Sequence, residues 1–285
     1  MNRRSIQRAL PVGILSVIAL LSLGAWAGLW AGDWREITGP SWTGLSVEHW
    51  LGTNRIGQDI FSRTIVSFAT ALEVGLLVGL ASATLGVVVG ATSGYFRGRW
   101  MDEALLWLTG CFESIPYYLL IGAVLFALNG AAGALQLALI LSFWPAVARH
   151  ARTRAIALRE QEFITAGRVS GLSSSQLIRR HVLPHLSDLL VVQASLLFVA
   201  AIKTEVVLSF VGLAGLNSIS FGRMLAEAGQ DILAGEYQNF IAASLSLFLL
   251  IWSTNQISDR LQICFNPVRS ARSKRQPHSR RIEPV

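Results

Sequence analysis

The few residues that could do chemistry in this chain stand inside long apolar runs. Glu113, Lys203 and Glu205 each interrupt a segment that is otherwise almost free of charge. Ionisable side chains in such segments are costly and normally face protein or a water-filled cavity, so these three are candidates for a solute pathway. Together with Glu73, these residues make an ion-coupled secondary transporter one candidate function. For Glu113, a position near the inner interface that reaches water is an equally good interpretation.

Motifs for nucleotide, metal or hydrolytic chemistry are missing from the sequence. The chain has two lysines, Lys203 and Lys274, and neither follows a glycine, so no GxxxxGK[ST] phosphate loop exists. His181 and His185 have the spacing of metal ligands, but Pro184 lies between them and no third ligand accompanies them, which favours a structural role. Without a GxSxG or HExxH motif, a membrane enzyme is the least supported class. If ATP drives this protein, the nucleotide sits on another polypeptide.

The composition of the chain places it in a membrane. Of its 285 residues, 52% are hydrophobic and 14% are charged, and the mean hydropathy is +0.50. Soluble domains carry about 25% charged residues. The formal net charge is +7, but the basic residues lie at the ends of apolar runs and not along one soluble face, which argues against binding to nucleic acid.

The apolar runs predict an all-α integral membrane protein with six transmembrane helices. The predicted spans are residues 9–32, 64–95, 104–128, 134–148, 189–212 and 237–258. With this topology, 19 of the 24 Lys and Arg residues fall on the predicted inner side and four on the outer side, a bias that places both termini in the cytoplasm. The chain then divides into an N-terminal anchor with an extracytoplasmic segment (1–63), a five-helix membrane core (64–258) and a basic cytoplasmic tail (259–285).

A glycine stripe runs along the second predicted span. Its members recur mostly at intervals of four residues, which places small residues on one helical face: Gly75, Gly79, Gly86, Gly90 and Gly94. Helices approach closely along such faces, where van der Waals contact replaces the hydrophobic drive that lipid removes. We therefore predict that this face packs against another helix and does not bind a ligand.

The segment between the fourth and fifth spans, residues 149–188, contains seven arginines and no lysine. We predict a short helix there, from about residue 160 to 170, that ends at Gly171 in a left-handed conformation, with Pro184 starting the next rigid element. Small residues in this helix would permit close seating in a partner's groove, and Arg154, Arg159 and Arg168 could make charge-assisted contacts around it. On physical grounds alone, an amphipathic loop lying on anionic lipid explains the segment equally well.

This segment resembles the EAA-type coupling loop in permease subunits of bacterial binding-protein-dependent ABC importers. Thr165-Ala166-Gly167 stands where that motif has Glu-Ala-Ala, Gly171 follows four residues after Gly167, and Leu183-Pro184 falls at the expected place. Residues 51–63 are similar to the LGTD-x-x-GRD-x-x-SR segment of oligopeptide, dipeptide and nickel permeases, and residues 208–213, 222–225, 255–259 and 266–267 resemble their second half. The resemblance covers about residues 47 to 270 and points to the C-type subunit of the dipeptide and oligopeptide systems.

The resemblance implies a type I ABC importer transmembrane fold with a cytoplasmic coupling helix, in the bacterial inner membrane. It implies half of a translocation pathway for peptides, with nickel or a metal chelate as the alternative cargo. The implied partners are a second homologous permease, two ABC ATPases that carry ATP and Mg²⁺, an extracytoplasmic binding protein and membrane lipid, so this chain itself would bind no cofactor and catalyse no reaction. The residues implied to contact the ATPase are Glu162, Thr165, Ala166, Gly167, Arg168, Gly171, Leu183 and Pro184.

Four positions depart from the family pattern. Thr165 replaces the motif's Glu and Gly167 its second Ala, while Asn54 and Gln58 replace an Asp and an Arg of the LGTD-x-x-GRD segment. Glu162 lies three residues before Thr165, one helical turn away, and is placed to supply the missing acid.

Overall fold

The computed structural model describes residues 3–29, 33–213 and 218–265, and this part of the chain is mostly helical. The predicted all-α class is therefore confirmed. Asn266-Pro267 and most of the predicted basic tail lie outside the described residues. The helices of the first half are α1 (Arg3–Trp26), α2 (Ile60–Tyr95), α3 (Trp100–Glu113), α4 (Tyr117–Ala127) and α5 (Ala134–Arg159). Those of the second half are α6 (Glu162–Val169), α7 (Ser174–Leu177), a π-helical turn (Ile178–Val182), α8 (Leu183–His185), α9 (Ser187–Phe210), α10 (Phe221–Leu233) and α11 (Gln238–Phe265).

Four of these helices, α1, α2, α9 and α11, are each long and apolar enough to cross a membrane. A fifth candidate exists only if α3 and α4 are taken together, because the chain bends by 87° between them. The predicted span over residues 104–128 is thus divided into two helices. Pro116 explains the break, since proline lacks the N–H that a continuing helix needs and disfavours the helical conformation at the residue before it.

The fourth predicted span, residues 134–148, is the first part of a longer helix. Helix α5 continues without interruption to Arg159, so its second half carries the first four arginines of the 149–188 segment. This charge keeps α5 out of the group of helices that are apolar enough to span on their own. By length and composition, the described helices therefore provide four or five candidate spans, whereas six were predicted.

Helix α2 is the central helix, and its glycines allow two neighbours to approach it. A Cβ added at Gly86 would lie 2.7 Å from the carbonyl oxygen of Trp144 in α5, and one at Gly94 would lie 2.6 Å from that of Arg152. On the other half of α2, a Cβ at Gly79 would lie 2.9 Å from the carbonyl oxygen of Ala194 in α9. The predicted packing role of the glycine stripe is confirmed, because α5 and α9 lie against the α2 backbone where side chains would not fit.

The segment before α2 ends in a turn that holds two of the departures from the family pattern. Asn54 Nδ2 donates to Gln58 Oε1 at 3.0 Å, and the Gln58 backbone N–H donates to Asn54 Oδ1 at 2.9 Å. Both side chains are buried. Thus an amide pair stands where the pattern has an acid and a base, and it keeps both partners hydrogen-bonded without burying charge. Asp59 then caps α2 by accepting from the Ser62 N–H at 2.7 Å.

Candidate coupling and pathway sites

The short helix α6 is anchored to the membrane helices by one side chain. Ile164 is fully buried, in a cluster that contains Ala151 and Ala155 of α5 and Tyr95 of α2. Leu177 of α7 closes the same cluster from the other side. The helix therefore packs on the adjoining ends of α2 and α5.

The opposite face of α6 is unoccupied within the described part of the chain. Glu162, Thr165, Ala166 and Val169 are all exposed, and their spacing of three and four residues places them on one face. The Val169 side chain is 84% exposed.

Gly167 faces inward, away from that exposed face. A Cβ at Gly167 would lie 2.8 Å from Leu177 Cδ2 and 3.2 Å from Leu172 Cδ1. The small size of this residue therefore serves the packing of α6 on its own loop. Seating of Gly167 in a partner's groove remains a prediction from the resemblance alone.

Gly171 has the left-handed conformation that its position predicts, with φ at +82°. The Gly171 N–H donates to Arg168 O and the Leu172 N–H donates to Gly167 O, each at 3.1 Å. These two bonds form a Schellman motif, which satisfies the last carbonyls of α6 and turns the chain sharply. The observed helix, Glu162–Val169, lies within the predicted range of 160–170.

Leu183-Pro184 lies at the start of a helical segment, α8, as predicted, but this segment continues the preceding helix without a break. Residues 174–185 form one helical stretch, and its centre, Ile178–Val182, is a π-helical turn in which the Leu183 N–H donates to Ile178 O. Pro184 cannot donate to the carbonyl four residues earlier, so the chain accommodates it by widening the turn before it. Leu183 is half-buried and Pro184 is exposed.

The two histidines of this stretch make contacts within the protein. His185 stacks on Phe163 of α6, with the ring centres 4.8 Å apart and the planes 18° apart. His185 Nδ1 also lies 2.6 Å from the carbonyl oxygen of His181. His185 thus ties α6 to α8 through an aromatic stack, a contact of the structural kind that the sequence favoured.

The arginines of the 149–188 segment bind mostly within the chain. Arg154 on α5 pairs with Asp188 at the start of α9, at 2.6 Å, and this ion pair joins the two ends of the segment. Arg159 donates to the carbonyl oxygen of Arg97 at 3.3 Å. Arg168 on α6 is exposed. Of the three arginines predicted to surround a docked partner, Arg154 and Arg159 thus have internal partners.

Asp102 joins three helices, and sequence reasoning missed it. Its carboxylate accepts two bonds from Arg152 of α5, both at 2.9 Å, one from the Ser93 hydroxyl of α2 at 2.6 Å and one from the Gly98 N–H at 3.0 Å. Asp102 is 3% exposed, so this is a buried and fully satisfied anion. The available signal was an acid immediately before a predicted span, beside a loop whose only charged residues are arginines.

The pathway candidates Glu113, Lys203 and Glu205 are not brought together. Glu113 pairs with Arg149 at the basic end of α5, which agrees with its interpretation as an interface residue. Lys203 is exposed, whereas Glu205, two residues further along α9, is 2% exposed and accepts from Ser209. Glu73 of α2 lines the same cavity as Glu205, a space of about 400 Å³. Only two of the four charges thus share a cavity.

Comparison with known proteins agrees with this geometry. Residues 82–268 match the family model described as "Binding-protein-dependent transport system inner membrane component". The chain is 31% identical to the oligopeptide transport system permease protein OppC of Mycobacterium tuberculosis over 276 residues, covering 93% of this chain and 92% of that protein. It is 29% identical to the dipeptide transport system permease protein DppC of Alkalihalophilus pseudofirmus, covering 90% and 84%. The chain therefore belongs to the family of inner membrane components of binding-protein-dependent transport systems.

Proposed function

We propose that this chain is a permease subunit of an ATP-driven ABC importer and forms half of a translocation pathway for di- or oligopeptides. The relatives named above are oligopeptide and dipeptide permeases, which favours peptides over nickel or a metal chelate as cargo. The single observation that carries the proposal is helix α6, which is fixed to the membrane helices by buried Ile164 and presents an exposed face on its other side.

The proposed topology has six spans, with both termini in the cytoplasm and the bent pair α3 and α4 counted as one span. Helix α5 supplies the sixth. Its backbone lies against Gly86, Gly90 and Gly94 of α2, so the two helices would lie at the same depth in the membrane for more than two turns. The charge bias of the sequence supports the orientation, because the arginine-rich end of α5 then faces the cytoplasm.

The proposed coupling uses the exposed face of α6. Glu162, Thr165, Ala166 and Val169 would seat in a groove of a partner ATPase, with Arg168 beside them. ATP and Mg²⁺ would bind to the ATPases, since this sequence has no phosphate loop. Closure of the ATPases would then move α6, and with it the ends of α2 and α5, so that binding free energy shifts the spans between inward-open and outward-open states.

The proposed assembly contains this chain, a second homologous permease, two ATPases and an extracytoplasmic binding protein, in membrane lipid. An ion-coupled secondary transporter is disfavoured, because Glu113 and Lys203 lie apart from the cavity that Glu73 and Glu205 line.

Affinity purification of the chain from its native membrane in mild detergent, followed by mass spectrometry and an ATPase assay, tests the proposal. We expect two P-loop ATPases and a sister permease to co-purify, with ATPase activity that a peptide-loaded binding protein stimulates. Repeated recovery of the chain alone, with uptake that follows a proton gradient and not ATP, would replace this proposal with the secondary transporter.

A further inference from the structure

A cavity between α2, α9 and the turn that joins α4 to α5 is lined by two carboxylates. It measures about 400 Å³, within the range of small-molecule sites. Its polar lining comes from Glu73 and Thr70 of α2, Glu205 of α9, Gln136 at the start of α5, and Ser218. No Lys, Arg or His is among the described residues that line it. The cavity is therefore a negatively polarised space with an apolar wall.

Glu205 is the residue that points to a ligand. Its side chain is almost completely removed from solvent, with 2% of the residue exposed. The Glu205 carboxyl group accepts from the Ser209 hydroxyl and also interacts with the Ser220 side chain, while its Oε2 atom makes no well-formed hydrogen bond in the described part of the chain. A buried carboxylate oxygen without a donor is costly, and a donor that arrives with the cargo would remove this cost.

A cavity with two carboxyl groups and no basic side chain favours a cation that carries several hydrogen-bond donors. An ammonium group has three N–H donors and a full positive charge, so it can bond Oε2 of Glu205 and neutralise that carboxylate, with Glu73 as a second acid in the same cavity. Every unmodified peptide carries such a group at its amino terminus. We propose that this cavity is a subsite of the translocation pathway that binds the free amino terminus of the peptide cargo, with Glu205 as the direct partner and Glu73 as a second negative charge. This inference rests on the proposed peptide-import function.

The test uses the complete importer in proteoliposomes, with binding protein saturated beforehand by trialanine or by N-acetyl-trialanine. Because the binding protein is saturated in every reaction, its own preference between the two peptides affects all variants equally. Glu205→Gln keeps the shape of the side chain and the acceptor for Ser209 but removes the charge. We expect it to lower the import rate of trialanine at least tenfold and to leave import of the acetylated peptide within twofold of its wild-type value. Glu73→Gln should show the same pattern with a smaller loss.

Glu103→Gln is the matched control, because Glu103 is an exposed acid on α3 away from the cavity. Complex yield and basal ATPase activity show whether each variant assembles. Unchanged trialanine import in Glu205→Gln, or an equal loss for both peptides, would overturn the proposal. Loss of the second permease from the purified variant would also overturn it, by showing that Glu205 binds a subunit. If the wild-type complex imports neither peptide, the proposed function fails, which is a distinct result.

Discussion

Replacing Gly171 by valine should uncouple ATP hydrolysis from transport. Gly171 holds φ at +82°, and a Cβ added there would meet nothing within 4 Å, so the substitution acts through backbone strain and not through a clash. An L-residue in the left-handed conformation costs about 1–2 kcal/mol, and a β-branched residue is the least tolerant of it. A cost of that size lowers the population of the Schellman cap by a factor of about 5–30. Helix α6 would then lose its fixed end while the membrane helices keep their packing.

The assay is the number of peptides imported per ATP hydrolysed, measured in proteoliposomes that contain the full complex. We expect Gly171→Val to lower this ratio at least fivefold, with insertion and complex yield unchanged. Asparagine adopts the left-handed conformation more readily than other non-glycine residues, so Gly171→Asn is the matched control and should stay within about twofold of wild type. Equal ratios for wild type and Gly171→Val would refute the reasoning that α6 must end rigidly at this residue.

Substitutions at three other places test the packing of the chain. Gly86→Val places a Cβ 2.7 Å from a backbone carbonyl of α5 and should destabilise the purified subunit by about 1–3 kcal/mol, read as a lower melting temperature, whereas Gly110→Val, which meets nothing within 4 Å, should cost less. Asp102→Asn leaves its partner arginine, whose side chain is 25% exposed, without an anion, and should lower stability by about 2 kcal/mol in thermal unfolding. Asn54→Asp combined with Gln58→Arg should retain transport better than either single change, because each single change buries an unpaired charge; equal activity of all three variants would contradict this.

The sequence was informative wherever one residue type decides a local conformation. Gly171 could be assigned a left-handed cap because few other residues adopt that conformation at the end of a helix. The glycine stripe of α2 could be assigned to packing for a similar reason, since its spacing defines a face whatever lies opposite. The partners of that face, α5 and α9, could not be read from the sequence, because spacing along one helix carries no information about its neighbour.

The sequence was less informative about the angle of a bend and about long-range contacts. Pro116 was visible in the apolar run over residues 104–128, but the 87° angle between α3 and α4 could not be predicted from it. Arg154 was predicted to contact a partner, and its charge is used by Asp188, 34 residues away. The sequence alone does not distinguish an arginine that forms an ion pair within the chain from one that binds a partner protein, because both kinds lie in the same basic segment.

The most direct test of the coupling role of α6 is site-specific photocrosslinking from Val169 in intact membranes. The side chain is 84% exposed on the free face of α6, so a benzoylphenylalanine introduced there should crosslink to a P-loop ATPase, identified by mass spectrometry. Val47, which is 92% exposed in the segment before α2, is the matched control and should crosslink to no ATPase. Absence of an ATPase adduct at position 169, or the same adduct from position 47, would contradict the account.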